Sequence, residues 1–250
     1  LAFEGYKPYV KQKLFHQAGK KYRERLLMAG NQLGKTRAAS FEVAMHLTGV
    51  YPKWWRGRRF NRPINAWASS LTSEATRDNP QRALLGESNS VLALPRGVGP
   101  LGSGLDVGTL AALPLGTVLT TTRSSSSTPG ALDSIQVAHK SGGVSVLSFK
   151  SYSQGREKWQ GPKLDMVWFD EEPPIDIYLE GLTRTNASGG MVLMTFTPLL
   201  GYSDVVQRFW DAKAGTVKTS EVKANTDLCV VHMTIDEVKH INWRMKKRII

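Results

Sequence analysis

The sequence holds a single cysteine, Cys229, which excludes an internal disulfide framework and a zinc site built on several thiolates. That suits a reducing compartment. There is no uninterrupted apolar run of roughly 18 residues or more, so a transmembrane helix is excluded. The first residues lack the apolar core of a secretory signal, because Glu4, Lys7 and Pro8 break it. His16, His46, His139, His232 and His240 are scattered and fit neither a His-Glu-x-x-His nor a Cys/His metal spacing. Acid is in short supply: 21 Asp and Glu stand against 33 Lys and Arg, a net charge of +12. That imbalance calls for a polyanionic partner, nucleic acid first and an anionic membrane second.

What is present is an ordinary globular core. The 250 residues are 41% hydrophobic, enough for one large domain or two small ones. Short apolar runs recur at Leu26–Ala29, Ile64–Ser69, Val144–Phe149, Met166–Phe169, Met191–Phe196 and Leu228–Met233, with the lengths of buried strands. Helical patterns lie between them at Thr36–Leu47, Thr72–Leu85 and Ser203–Lys213, with Pro80 set to kink or interrupt the second. This alternation predicts an α/β fold with a largely parallel sheet. From Gly86 to Gly143 the chain is rich in Gly, Pro, Ser and Thr, which predicts long loops carrying strands at Thr117–Thr122 and Ile135–His139. Basic residues cluster at Lys7–Arg25, around Trp54-Trp55 (Lys53, Arg56, Arg58, Arg59, Arg62), and at Lys239–Arg248. Each cluster is a solvated face or a polyanion contact. The two tryptophans either stack on bases or anchor a packed loop.

The most informative segment is Ala29-Gly30-Asn31-Gln32-Leu33-Gly34-Lys35-Thr36, a glycine-containing loop between a strand and a helix. Backbone N–H groups of Gly30 to Gly34 and the helix N-terminus would cradle a phosphate chain. Lys35 would reach its β- and γ-phosphates, and the Thr36 hydroxyl would ligate Mg²⁺. The usual first glycine of such a loop is replaced by Ala29. A second strand, Met166–Phe169, runs into Asp170-Glu171-Glu172. It would deliver carboxylates to the sheet's C-terminal edge, where open α/β sheets bind ligands. Asp170 would hold the Mg²⁺ shell and Glu171 would activate water for attack on the γ-phosphate. Glu172 is expected to face elsewhere, because side chains alternate along an extended chain. A glutamate after the strand aspartate, with no Asn-Lys-x-Asp motif, points to a P-loop NTPase of the additional-strand, catalytic-glutamate type that uses ATP.

Together with these motifs, Phe149–Glu157, Glu180–Asn186 and Thr195-Phe196-Thr197-Pro198 give the sequence its family likeness. In this order they resemble the large terminase subunit of tailed bacteriophages, from about Tyr6 to Asp236. A degenerate first glycine is a habit of that family. The resemblance implies an ATPase motor that drives double-stranded DNA into a procapsid in the host bacterial cytoplasm, with no membrane. Its implied partners are a portal protein, a small terminase subunit and further copies of itself in a pentameric ring. Gln12 corresponds to an adenine-reading glutamine, or is a surface residue. Thr195 and Thr197 correspond to a coupling motif. Arg156 is the best candidate for an arginine finger acting on a neighbouring subunit, with Arg184 second. For either, a salt bridge or DNA contact is the alternative. The family's nuclease domain would follow the ATPase domain, and residues 1–250 are expected to be the motor module alone, without DNA cleavage. A helicase-like or repair ATPase on the same core is the alternative function.

Overall fold

The computed structural model describes residues 3–86, 111–114, 116–125, 127–199, 201, 203–214 and 227–239. The turn-rich run around Pro95–Pro100 and the C-terminal basic residues Arg244 to Arg248 lie outside them. The chain begins with helix α1 (Val10–Ala18), strand β1 (Glu24–Ala29) and helix α2 (Lys35–Thr48). Then come β2 (Asn65–Ser70), short helices α3 (Ser73–Thr76) and α4 (Arg82–Leu85), and strands β3 (Val118–Arg123), β4 (Leu132–Ala138) and β5 (Val144–Ser151). After these follow β6 (Met166–Asp170), α5 (Ile175–Asn186), β7 (Met191–Phe196), α6 (Asp204–Ala214) and β8 (Leu228–Met233).

The strands form one eight-stranded sheet in the order β3-β4-β5-β2-β6-β7-β1-β8. The predicted parallel sheet is observed from β5 to β8. The strands of the turn-rich region instead add an antiparallel meander, β3-β4-β5, at one edge. β1, β6 and β7 are buried at every residue, as strands covered on both faces must be. Side-chain alternation divides their apolar residues between two cores. Leu27 and Ala29 join α1 and α2 on one face, while Leu26 and Met28 join α5 and α6 on the other.

Pro80 interrupts the α-helical pattern as expected, without breaking the helical path. Residues Arg77–Gln81 form one wide π turn between α3 and α4, where the Arg82 N–H donates to the Arg77 carbonyl. Proline lacks an N–H and crowds the preceding turn, and the widened turn makes room for it.

Candidate functional site

β1 lies between β7 and the edge strand β8 and ends at Ala29, so the following loop emerges from the C-terminal edge of the parallel strands. Gln32 and Gly34 take positive φ, 60° and 87°, and α2 starts at Lys35. Gly34 therefore needs its lack of a Cβ. Ala29 is the buried last residue of an extended strand and has no such need, which explains why alanine serves there.

The Lys35 ammonium donates to the carbonyls of Ala29 and Gly30 and to Thr197 Oγ1, each at 2.8 Å. Thr197 Oγ1 in turn lies 2.7 Å from the Ala29 carbonyl and 3.0 Å from Asn31 Oδ1. β6 pairs in parallel with β7, which sets Asp170 opposite Thr195. Asp170 Oδ1 accepts from Thr195 Oγ1 at 2.7 Å and from Thr36 Oγ1 at 2.9 Å. The Trp168 indole fixes Thr195 by donating to its hydroxyl at 2.8 Å. The loop lysine, the loop threonine, the strand aspartate and both threonines of the Thr195–Pro198 motif thus meet in one place.

Asp170 Oδ2 is buried and has no hydrogen-bond partner among the described residues. Burial raises this carboxyl to about 7, although the Thr195 and Thr36 hydroxyls and Lys35 oppose the rise. Burial also lowers the Lys35 ammonium, against the pull of Glu171 and Asp170, and raises Glu171 against Lys35. A buried carboxylate oxygen without a donor is costly unless a cation arrives. Beside a threonine hydroxyl, it supplies the hard oxygen ligands that Mg²⁺ selects. The residues present fit that ion, and Thr36 and Asp170 would hold it.

Glu171 follows Asp170 with φ of 71°, a left-handed conformation that a glutamate rarely adopts. It is over-determined by neighbours: its N–H donates to the Thr195 carbonyl at 3.0 Å, and its carbonyl accepts from the Tyr152 hydroxyl at 2.8 Å. The turn directs Glu171 differently from Glu172, which accepts a hydrogen bond from Ser203 ahead of α6. Sequence reasoning expects Trp168 in the core or flanking the site, and both hold, whereas it does not expect the contact that Tyr152 makes. Each holds a site residue across the sheet, a relation no spacing encodes.

The remaining candidates fall elsewhere. Gln12 is buried beside the loop, but its amide is engaged by the protein. Its Nε2 donates to the Gly34 carbonyl at 3.0 Å and its Oε1 accepts from the Tyr9 N–H at 2.8 Å. The surface reading of Gln12 is therefore corrected. Among the described residues neither Arg156 nor Arg184 is hydrogen-bonded or ion-paired to the loop. Both pair with the buried Glu180 on α5, at 3.4 and 2.7 Å, and Arg156 is 61% exposed. The Arg184 carbonyl accepts from Leu164 ahead of β6, at the edge opposite the loop. Trp55 is buried against His16, His46 and Tyr51, so it anchors a loop and does not offer its face to a base. No helix among the described residues is long and apolar enough to cross a membrane.

Comparison with known proteins agrees with the motifs. Residues 26–250 match the family model for the terminase large subunit, T4likevirus-type, N-terminal. The chain is 38% identical to the terminase large subunit of Salmonella phage P22 over 97% of its own length and 47% of that protein's. It is 40% identical to the terminase large subunit of Enterobacteria phage LP7 over 42% of its length and 20% of that protein's. The fold is similar to that of the large terminase from a thermophilic bacteriophage, solved in complex with ADP. That match has a TM-score of 0.57 at 15% identity and covers 97% of this chain and 49% of the other. The chain thus spans about half the length, or less, of the relatives it matches.

Proposed function

The chain belongs to the terminase large-subunit family, and from that premise we propose that it is the ATP-hydrolysing motor driving double-stranded phage DNA into a procapsid. The observation that carries the reading is the Asp170 carboxylate, with one oxygen gripped by Thr36 and Thr195 and the other buried without a donor, next to Lys35. In this reading the loop N–H groups and Lys35 bind the phosphates of ATP. Thr36 and Asp170 would hold Mg²⁺, whose charge would offset that developing on the phosphates. Glu171, aimed by its left-handed turn, orients water for in-line attack. Thr197 shares the Lys35 ammonium, so a γ-phosphate that draws Lys35 away releases a strand that runs toward α6. That is a mechanical link between hydrolysis and motion.

Arg156, exposed and held among the described residues by Glu180 alone, is the residue offered to a neighbouring subunit's nucleotide. A ring of copies, a portal, a small terminase subunit and action in the host cytoplasm belong to the same proposal. The test is Mg²⁺-dependent ATP turnover and ATP-analogue binding for the wild type, Lys35→Ala and Glu171→Gln. The wild type should bind and hydrolyse, Lys35→Ala should lose binding, and Glu171→Gln should bind without turnover. Wild-type protein that neither binds nor hydrolyses ATP overturns the reading.

A further inference from the structure

A cleft of about 600 Å³ opens at the sheet edge opposite the phosphate loop. One wall is residues 19–23, ahead of β1, and the other is residues 55–59, ahead of β2, with Gly189 ahead of β7 beside them. The loop and the cleft are separated by the six residues of β1, about 20 Å.

Six cations line the cleft: Lys20, Lys21, Arg23, Arg56, Arg58 and Arg59. Among the described residues none of the six is ion-paired with a carboxylate. Three are instead anchored on main-chain carbonyls. Arg58 Nη1 donates to Gly189 at 2.7 Å, Arg56 Nη1 to Lys53 at 2.9 Å, and Arg23 Nε to Gly190 at 2.9 Å. The carboxylate whose field reaches Arg58, Asp165, is already held by Arg62 at 2.6 Å. The guanidinium groups are therefore positioned without being neutralised.

The floor beneath them is rigid. The Trp55 indole donates to the Arg58 carbonyl at 2.9 Å. A Cβ on Gly57 would lie 2.3 Å from the His16 carbonyl and 2.8 Å from the Trp55 ring. Fixed like charges around a concave surface concentrate a ligand bearing several negative charges. With Trp55 buried, the ring left on the lining is that of half-buried Tyr22, and the Lys21 ammonium already covers it, 5.1 Å from the ring centroid. Lysine and arginine spread along two walls contact phosphates without reading base edges unless they enter a groove.

We propose that this cleft is a phosphodiester-backbone site for duplex DNA, recognising charge and not sequence. The choice of DNA as the polyanion rests on the motor reading above. The placement keeps DNA at one edge of the sheet and nucleotide at the other, joined by β1.

The test is fluorescence anisotropy of a labelled mixed-sequence duplex across a salt series, using the chain as it stands. Arg56→Glu/Arg59→Glu is compared with Lys7→Glu/Lys158→Glu, which makes the same net-charge change at exposed sites outside the cleft. The cleft variant should lose about tenfold or more in affinity, and its log–log salt slope should flatten by about two. The control should lose about twofold or less. Equal losses in both variants, or unchanged binding in the cleft variant, overturn the proposal. So does loss of poly-glutamate binding with duplex binding intact, which would assign the cleft to an acidic protein. If the cleft variant does not fold, as judged by its unfolding temperature, Lys20→Glu/Lys21→Glu on the other wall carries the same comparison. ATP-analogue binding is measured in parallel. Wild type that binds analogue but not duplex overturns the cleft alone, and wild type that binds duplex through the cleft but no analogue overturns the motor reading alone.

Discussion

Helix α2 carries two buried charge sites that solve the same problem in opposite ways. At its N-terminus, Lys35 and Thr36 face Asp170. Near its middle, Glu42 is fully buried with Arg25, His16 and His46. Both Glu42 oxygens are taken: Oε1 lies 2.5 Å from Arg25 Nη2 and 3.3 Å from His46 Nε2, and Oε2 lies 2.6 Å from His16 Nδ1. Burial alone would raise this carboxyl, but Arg25 and the two histidines outweigh it and hold Glu42 well below the usual carboxylate range. Asp170 is equally buried, yet one oxygen has no donor and its carboxyl is pushed up to about 7. A buried charge whose partners are all in place is structural. At Asp170 the unfilled place lies beside the Lys35–Thr36 end of the loop, where a ligand that brings positive charge would complete it.

The largest effect that could break this contrast comes from swapping the two glutamates' fates. Glu42→Ala should destabilise the fold by about 3–5 kcal/mol, because it strands Arg25 in the core. Glu171→Gln should leave the unfolding temperature nearly unchanged while cutting ATP turnover by roughly 10²–10⁴-fold. Chemical denaturation and a steady-state phosphate-release assay read the two. If Glu171→Gln unfolds the protein as Glu42→Ala does, the division between structural and functional charge is wrong.

A smaller effect sharpens the open side. Saturating Mg-ADP at about 100 times its dissociation constant should stabilise the wild type by about 2.7 kcal/mol. Without Mg²⁺ the gain should shrink. Asp170→Asn should shrink it to the same level and make it indifferent to Mg²⁺. A variant that still responds fully to the ion removes Asp170 from the metal site.

The closed side has its own signature in pH. Burial holds His46 below its ordinary value of 6.5. The unfolded chain therefore takes up a proton that the folded protein refuses, and stability falls as pH drops through about 6.5. Glu42 is depressed, so its contribution is complete above about 4.5 and is lost as pH falls below that value. Thermal unfolding should weaken in two stages on acidification, and His46→Gln should blunt the first stage. Asp170, raised to about 7, acts with the opposite sign over the same range, so the readout is the difference between wild type and His46→Gln, and identical profiles from pH 7 to 5 would mean that the histidine is not held neutral.

How far these sites were legible in the sequence follows from the range of the forces that make them. The parallel strands read correctly because burial on both faces forces short continuous apolar runs such as Met191–Phe196. Lys35, Thr36, Asp170 and Glu171 stood out because phosphate chemistry calls for those residue types where strands give way to loops, and the structure brings Thr36 onto Asp170, with Lys35 close enough for its charge to act on both carboxylates. α1 did not, because its lysines resemble a charged surface cluster and only Gln12, Phe15 and His16 are buried. Nor did α5, which follows Pro173-Pro174 and contains Gly181, where a Cβ would lie 2.7 Å from the Phe169 ring. The Glu42 cluster was invisible because its partners come from α1, β1 and α2 with no periodic relation. Its two histidines looked merely dispersed.

The smallest predicted effect concerns the residue that joins the two halves of the site without touching a ligand. Tyr152 is buried at the end of β5, and its hydroxyl donates to the Glu171 carbonyl at 2.8 Å, with the Asp170 carbonyl at 3.2 Å. Tyr152→Phe keeps the ring packed on Trp159 and Phe169 and removes only the hydroxyl with its hydrogen bonds. The loss should cost about 1 kcal/mol of stability. It should also loosen the left-handed turn that aims Glu171, since that conformation persists only when its surroundings enforce it. Turnover should then fall by about tenfold, with KM for ATP unchanged, because phosphate binding lies with the loop and not with this turn. A matching rise in KM would show that Tyr152 supports the phosphate loop, and an unchanged kcat would show that Thr195 alone holds Glu171 in place.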